Sequence, residues 1–142
     1  MKLVQIYKTN KDFKICTLYK LESGSYITSE PIFIIPIDVR LENLESKLHK
    51  ALNTSRNLSE SEEDEFWLGN NLLKKMKETS FDKLYRTSLS CNVSLIDDIA
   101  SIIPQKYAGK NRGLTRDGQI YQVTVDNDNY SEVTKKVIEV LT

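Results

Sequence analysis

The sequence is poor in the residues on which most active sites depend. Its 142 residues include one histidine, two cysteines and five glycines. A single histidine, His49, excludes a multi-histidine metal site and a histidine pair. Cys16 and Cys91 lack the paired spacing of a zinc site. Both fall in strand-like segments and are expected to be small buried thiols. With so few glycines there is no Gly-x-Ser-x-Gly elbow, no Gly-x-x-x-x-Gly-Lys phosphate loop and no dinucleotide fingerprint. A Cys91 nucleophile served by His49 has no local support, because His49 reads as a flank residue of an amphipathic helix. Asp97-Asp98 and Asp126/Asp128 are the kind of acids that bind Mg²⁺, but adjacent acids at turns read as solvated. No catalytic residue, metal or cofactor is expected.

Long apolar runs are also missing. The longest, Ile32–Ile37, is interrupted by Pro36 and too short to cross a bilayer. The amino terminus, MKLVQIYKTNKDFK, alternates apolar and polar residues and lacks the unbroken apolar core of a signal peptide. A cytoplasmic protein with no membrane partner is the expectation. Hydrophobic content of 39% and charged content of 28% suit one globular domain spanning residues 1–142.

Net charge is zero as well, yet it arises from cancelling blocks. Residues 1–20 hold five lysines against one aspartate, and residues 21–65 hold ten acids against four bases. Residues 66–116 hold nine bases against four acids, and the remainder two against five. Such segregation favours oriented encounter with a charged partner.

The pattern of the chain is that of alternating strands and amphipathic helices. Residues 3–8 and 13–20 alternate with period two around Thr9-Asn10-Lys11-Asp12, which predicts a hairpin. Tyr26–Thr28 and Pro31–Ile37 read as extended, with the prolines marking an edge or strand end. Leu41, Leu44, Leu48 and Leu52 recur at helical spacing and predict a helix over 40–54. A second helix is expected from about Asp64 to Glu78, with Trp67 or Leu68, Leu72, Leu73 and Met76 on its apolar face and Gly69 inside it. Residues 84–95, 98–103 and 119–125 read as strands, 106–118 as a loop, and 129–141 as a closing helix begun by Asn129 and Glu132. "FIIPIDVRLENLESKLHKAL" and "IYQVTVDNDNYSEVTKKVIEVL" share one plan: strand, Asp, polar turn, helix. The expected class is α+β, a mostly antiparallel β-sheet with about three α-helices packed on it.

Two charged stretches remain. Lys106–Arg116 carries four basic residues, an aromatic and no acid. It is chemistry for phosphate contact, although the balanced overall charge speaks against a nucleic-acid binder. The other is "SESEEDE", where Glu60, Glu62, Glu63, Asp64 and Glu65 occupy five of seven positions. Asp64, Glu65 and Glu63 suit the positive start of the second helix. Glu60 and Glu62 have no such explanation. If the two helices are antiparallel, Glu42 and Glu45 join the same patch. A surface of this kind imitates a phosphate backbone and would steer a basic partner.

The stretch "EDEFWLGNNLLKKMKETSFDKLYRTSLSCNVSLIDDIASIIPQKYAGKNRGL" resembles one group of immunity proteins from bacterial contact-dependent growth inhibition systems. The similar parts are "PIDVRLENLESKLHKALNTSR" as a first helix with a trailing Ser-Arg, "FWLGNNLL" with its internal Leu-Gly, and "IIPQKYAGKNRGL". What the resemblance implies is a cytoplasmic, non-catalytic protein. It would bind, one to one, the C-terminal toxin domain of a cognate exported effector, a basic nuclease expected to be an RNase. The toxin-binding residues would be Glu60, Glu62, Glu63, Asp64, Glu65, Glu42 and Glu45. The alternative reading is a nucleic-acid-binding accessory protein using residues 106–116.

Overall fold

The computed structural model describes residues 1–142. The hairpin read from the first twenty residues forms as expected: β1 (Lys2–Lys8) pairs antiparallel with β2 (Asp12–Lys20). β2 pairs in turn with β3 (Tyr26–Pro36), an edge strand. This ladder skips Glu30 and Pro31, since Thr17 faces Ser29 while Cys16 faces Ile32. Proline lacks the N–H that a ladder needs, so the irregularity falls where the sequence cannot pair. The helix α1 (Leu41–Thr54) follows, and the chain then makes a 3-10 turn at Glu60–Glu62 and short helices α2 (Glu63–Phe66), α3 (Asn71–Met76) and α4 (Phe81–Thr87). β4 (Leu89–Ile96) returns beside β1, and β5 (Ile99–Tyr107) beside β4. β6 (Leu114–Arg116) and β7 (Tyr121–Thr124) share the outer side of β5, and α5 (Ser131–Val140) closes the chain. The sheet order is β3-β2-β1-β4-β5, with every pair antiparallel. The α+β class expected from the sequence is the one found. No helix is long and apolar enough to cross a membrane.

Alternation in the strands divides the side chains between two faces. One face carries Val4, Ile6, Phe13, Ile15, Ile35, Cys91, Val93, Ala100 and Ile102. On it lie the stripe Leu44, Leu48, Ala51 and Leu52 of α1 and Val133, Val137 and Leu141 of or beside α5. Fully burying an aliphatic side chain of this kind contributes ~1.5–3 kcal/mol, so this face supplies most of the stability. The opposite face carries Tyr7 and Cys16, covered by Met76 and Leu84 from the short-helix region. There Lys14, with no exposed surface, reaches Asp12 at 3.2 Å and Glu78 at 3.0 Å. The two cysteines lie on opposite faces, are free and buried, and burial pushes each thiol up to about 12.

Two local expectations are corrected. The helix read over Asp64–Glu78 is broken in the middle. Trp67 is extended at ψ 116° and Gly69 takes the left-handed conformation at φ 54°. Glycine enters that region without a Cβ clash, so the residue expected inside a helix sits in the turn that separates α2 from α3. Lys77 is left-handed too and closes α3, and the Glu78 amide reaches back to the Leu73 carbonyl at 3.0 Å. That turn delivers the Glu78 carboxylate to Lys14. The strand expected over 84–95 begins only at Leu89, because Phe81–Thr87 is helical. Ser80 caps it by accepting the Lys83 amide at 3.1 Å, and Leu84 faces inward.

Candidate functional site

Residues 55–70 form a strap around one edge of the sheet. α1 ends at Ser55, whose hydroxyl donates to the Leu18 carbonyl and accepts the Leu3 amide at 2.9 Å. The chain then runs beside Lys20, whose carbonyl accepts the Leu58 amide at 2.8 Å. Beyond the acidic run, Phe66 packs edge-on against Tyr19 with ring centroids 4.9 Å apart. The Phe66 carbonyl accepts a hydrogen bond from Ser29 Oγ at 2.7 Å, and Lys75 of α3 pairs with Glu30. The chain thus passes from the α1 face to the α3 face at the irregularity in β3.

Glu62 gives the strap its shape. Both carboxylate oxygens are held by Arg56, at 3.2 and 2.6 Å, and Oε1 also accepts the Ser59 amide at 3.1 Å. The Arg56 hydrogen bonds, reinforced by Ser59, hold this carboxyl down at about 2 against an ordinary 4.5. The Arg56 guanidinium lies 5.2 Å from the centre of the Phe66 ring, which continues the clamp into the Tyr19 cluster. Glu62 therefore has a structural task that the sequence did not reveal. Glu60, Glu63, Asp64 and Glu65 make no ion pair. Beside them stands Trp67, 64% exposed. Sequence periodicity places Trp67 or Leu68 on the apolar face of an unbroken helix. The pointer to the tryptophan's true place was Gly69, two residues on, in the turn between α2 and α3.

Glu42 and Glu45 are not part of this patch. α1 leads from the Pro36 end of the sheet to the Lys20 end, and about 18 Å of helix axis separates Glu42 from Thr54. The antiparallel return that would have joined them does not exist, because the chain crosses the edge instead of folding back.

Strand register converts the charge blocks into a polar molecule. The turn after Lys20, the Asp97-Asp98 turn between β4 and β5, and the loop after β7 all lie at the end where the strap begins. Glu22, Glu60, Asp97, Asp98, Asp126 and Asp128 gather there. At the opposite end a polar hollow of about 510 Å³ is lined by Lys11, Lys77 and Lys83 among others. The 106–118 segment, read as a loop, lies at that end too, but Lys106 and Tyr107 finish β5 and pair with β6 (Leu114–Arg116), so only the tight hairpin turn between them is loop. Asn111 and Gly113 take left-handed backbone, and the Ala108 amide donates to the Gly113 carbonyl at 2.9 Å. Tyr107, its aromatic, donates its hydroxyl to Asp82 at 2.6 Å.

The remaining candidates are placed away from the strap. His49 stacks on Tyr130 with centroids 4.3 Å apart, and its Nε2 is 3.0 Å from Asn53 Nδ2. Cys91 is buried in the core with a raised pKa, the opposite of an activated nucleophile. No three His, Cys, Asp or Glu side chains are placed to hold a metal ion.

No family model and no curated protein matches this sequence. Solved structures do match its fold. A protein of unknown function from Neisseria meningitidis, NMB0488, superimposes with a TM-score of 0.74 at 18% identity, covering 99% of this chain and 92% of that one. A chain of a CdiA-CT/CdiI toxin and immunity complex from Yersinia pseudotuberculosis superimposes with a TM-score of 0.66 at 12% identity, covering 99% and 97%. At these identities the likeness establishes a shared fold.

Proposed function

We propose that this protein is an immunity protein of the contact-dependent growth inhibition type. It binds, one to one, the C-terminal toxin domain of a cognate effector and has no catalytic activity of its own. The toxin is a basic nuclease, and the protein works in the cytoplasm of the producing cell. The observation that carries this reading is the strap, a braced segment presenting Trp67 among four carboxylates without ion pairs. Tryptophan is prominent among interface hot spots, and unpaired carboxylates beside it suit a cleft built to attract phosphate. The shared fold with a chain of a toxin and immunity complex supports the same reading. In this proposal Glu60, Glu63, Asp64 and Glu65 meet the toxin, Glu62 keeps the strap in shape, and Glu42 and Glu45 lie outside the contact.

Co-expression with the C-terminal domain of the exported effector encoded beside it tests the proposal. A stable 1:1 complex and restored growth are the expected results, and growth arrest despite expression rejects it. The cationic end around Lys11, Lys77, Lys83, Lys110 and Arg112 favours a second reading, nucleic-acid binding. A salt titration of RNA and single-stranded DNA retention on filters decides that case, and weak retention that ignores salt removes it.

A further inference from the structure

The short helices cover only half of their face of the sheet. Register across the strands defines the other half as three rows of side chains, on the face that carries Cys16. The inner row, Cys16, Gln5, Asn92 and Ile103, borders the covered half, with Cys16 and Gln5 buried. The middle row crosses six strands as Thr28, Leu18, Leu3, Ser94, Ser101 and Gln122. The outer row includes Tyr26, Lys20, Ile96, Ile99 and Thr124. Toward α3 and α4 this face is closed, with Cys16 and Lys14 fully buried. Away from them it opens: Leu3, Leu18 and Ile103 are half-buried, while Ile96 and Ile99 are 56% and 46% exposed. On the opposite face the same strands are sealed by α1 and α5.

The open half is a shaped surface. Thr28, Ser94 and Ser101 form a floor of small side chains, with aliphatic shoulders at Leu3, Leu18, Ile96, Ile99 and Ile103. Asn92 Oδ1, in the inner row, is shielded from solvent and accepts no hydrogen bond from the chain. The three rows extend about 13 Å along the strands, the length of two to three helical turns. A sheet face in this state is completed by a helix layer, as α3 and α4 complete the other half.

We propose that this platform is a docking surface for an amphipathic helix of a basic protein. Charge selects that occupant. The rim is formed by Asp97 and Asp98 in the β4–β5 turn and Glu22 in the β2–β3 turn, with Lys20 as the cation within the rows. A second copy of this chain is the wrong partner, because its own platform carries the same acidic rim and brings no cationic complement to it. The strap crosses the sheet edge at Ser29, the residue after Thr28, so platform and strap adjoin. Identifying the helix as part of the toxin rests on the immunity reading; the surface itself rests on the sheet.

The test pairs Ile96→Lys/Ile99→Lys with wild type against the purified toxin domain, by calorimetry. Both side chains are exposed, so the fold is retained, and circular dichroism melting checks it. Binding at least about tenfold weaker is expected, the loss of one or two apolar anchors at an interface. Equal affinity overturns the platform while leaving the immunity reading intact. No complex with wild type rejects the immunity reading and this assignment with it. Isoleucine methyl NMR of wild type gives an answer independent of the variant. Shifts at Ile96, Ile99 and Ile103 on complex formation support docking, and unmoved signals overturn it. A wild-type dimer that the double variant splits, seen by light scattering, also overturns it in favour of self-association.

Discussion

Ser29 Oγ donates to the Phe66 carbonyl oxygen at 2.7 Å across the edge of β3. That bond holds the strap at the place where the β2–β3 ladder is irregular. Ser29→Ala leaves a carbonyl without its partner and is expected to cost about 1 kcal/mol, measured by urea denaturation. It should also slow toxin association, because the strap loses its brace.

Trp67 and the carboxylates around it predict separable effects on binding. Trp67→Ala should weaken the complex by about 2 kcal/mol or more without lowering the melting temperature, since the ring is mostly exposed. Reversing Glu60, Glu63 and Glu65 to Lys should slow association about tenfold or more at low salt and flatten its salt dependence. Stopped-flow rates across a salt series read both changes. Unaltered rates would place the interface elsewhere.

The Arg56–Glu62 clamp predicts a pH window. The folded pKa of Glu62 lies below its ordinary 4.5, so the clamp's contribution is complete above that value and is lost as pH falls toward about 2. Melting temperatures of wild type and Glu62→Gln should therefore converge between pH 4.5 and 2, with wild type the more stable at neutral pH. A gap that persists to pH 2 would refute the assignment.

Lys14 lies between Asp12 and Glu78 with no exposed surface. Lys14→Ala leaves two carboxylates facing each other under α3 and is expected to cost ~3–5 kcal/mol. The triple replacement Asp12→Asn/Lys14→Met/Glu78→Gln should recover part of it. Denaturant midpoints check both.

Neither thiol should react with Ellman's reagent in the native protein at pH 8. Burial has raised both to about 12 and excludes the reagent. Full reaction in denaturant should follow, and rapid native reaction would contradict the packing around Cys16 and Cys91.

Much of this architecture was readable where period and chemistry agree. The β1–β2 hairpin, α1 and α5 each carry a regular apolar pattern bounded by polar turns. The strap escaped because its determinants are not periodic. Gly69, inside the helix that periodicity predicts, takes the left-handed conformation in the turn between α2 and α3. Arg56 and Glu62 are six residues apart, a spacing no helical rule pairs, so their clamp needs the turn at Ser59 to exist. Glu42 and Glu45 join the acidic run only in a helical hairpin, and the chain takes the other route, over the sheet edge. α4 did carry a signal: Ser80 before Phe81, Leu84 and Tyr85 is a cap followed by a helical stripe. The platform could not be seen at all, since its rows are made by cross-strand register.

The strap also divides the chain in a way that sequence order enforces. Everything before it is β1, β2, β3 and α1, and everything after it includes β4, β5 and α5. The two halves meet in the sheet along one seam, the ladder from Lys2–Leu95 to Lys8–Leu89. On the ribosome, β1 is therefore born as an open edge and becomes a central strand only when β4 emerges. Fragments 1–69 and 70–142 should accordingly reassemble when mixed, each supplying half a sheet and one long helix.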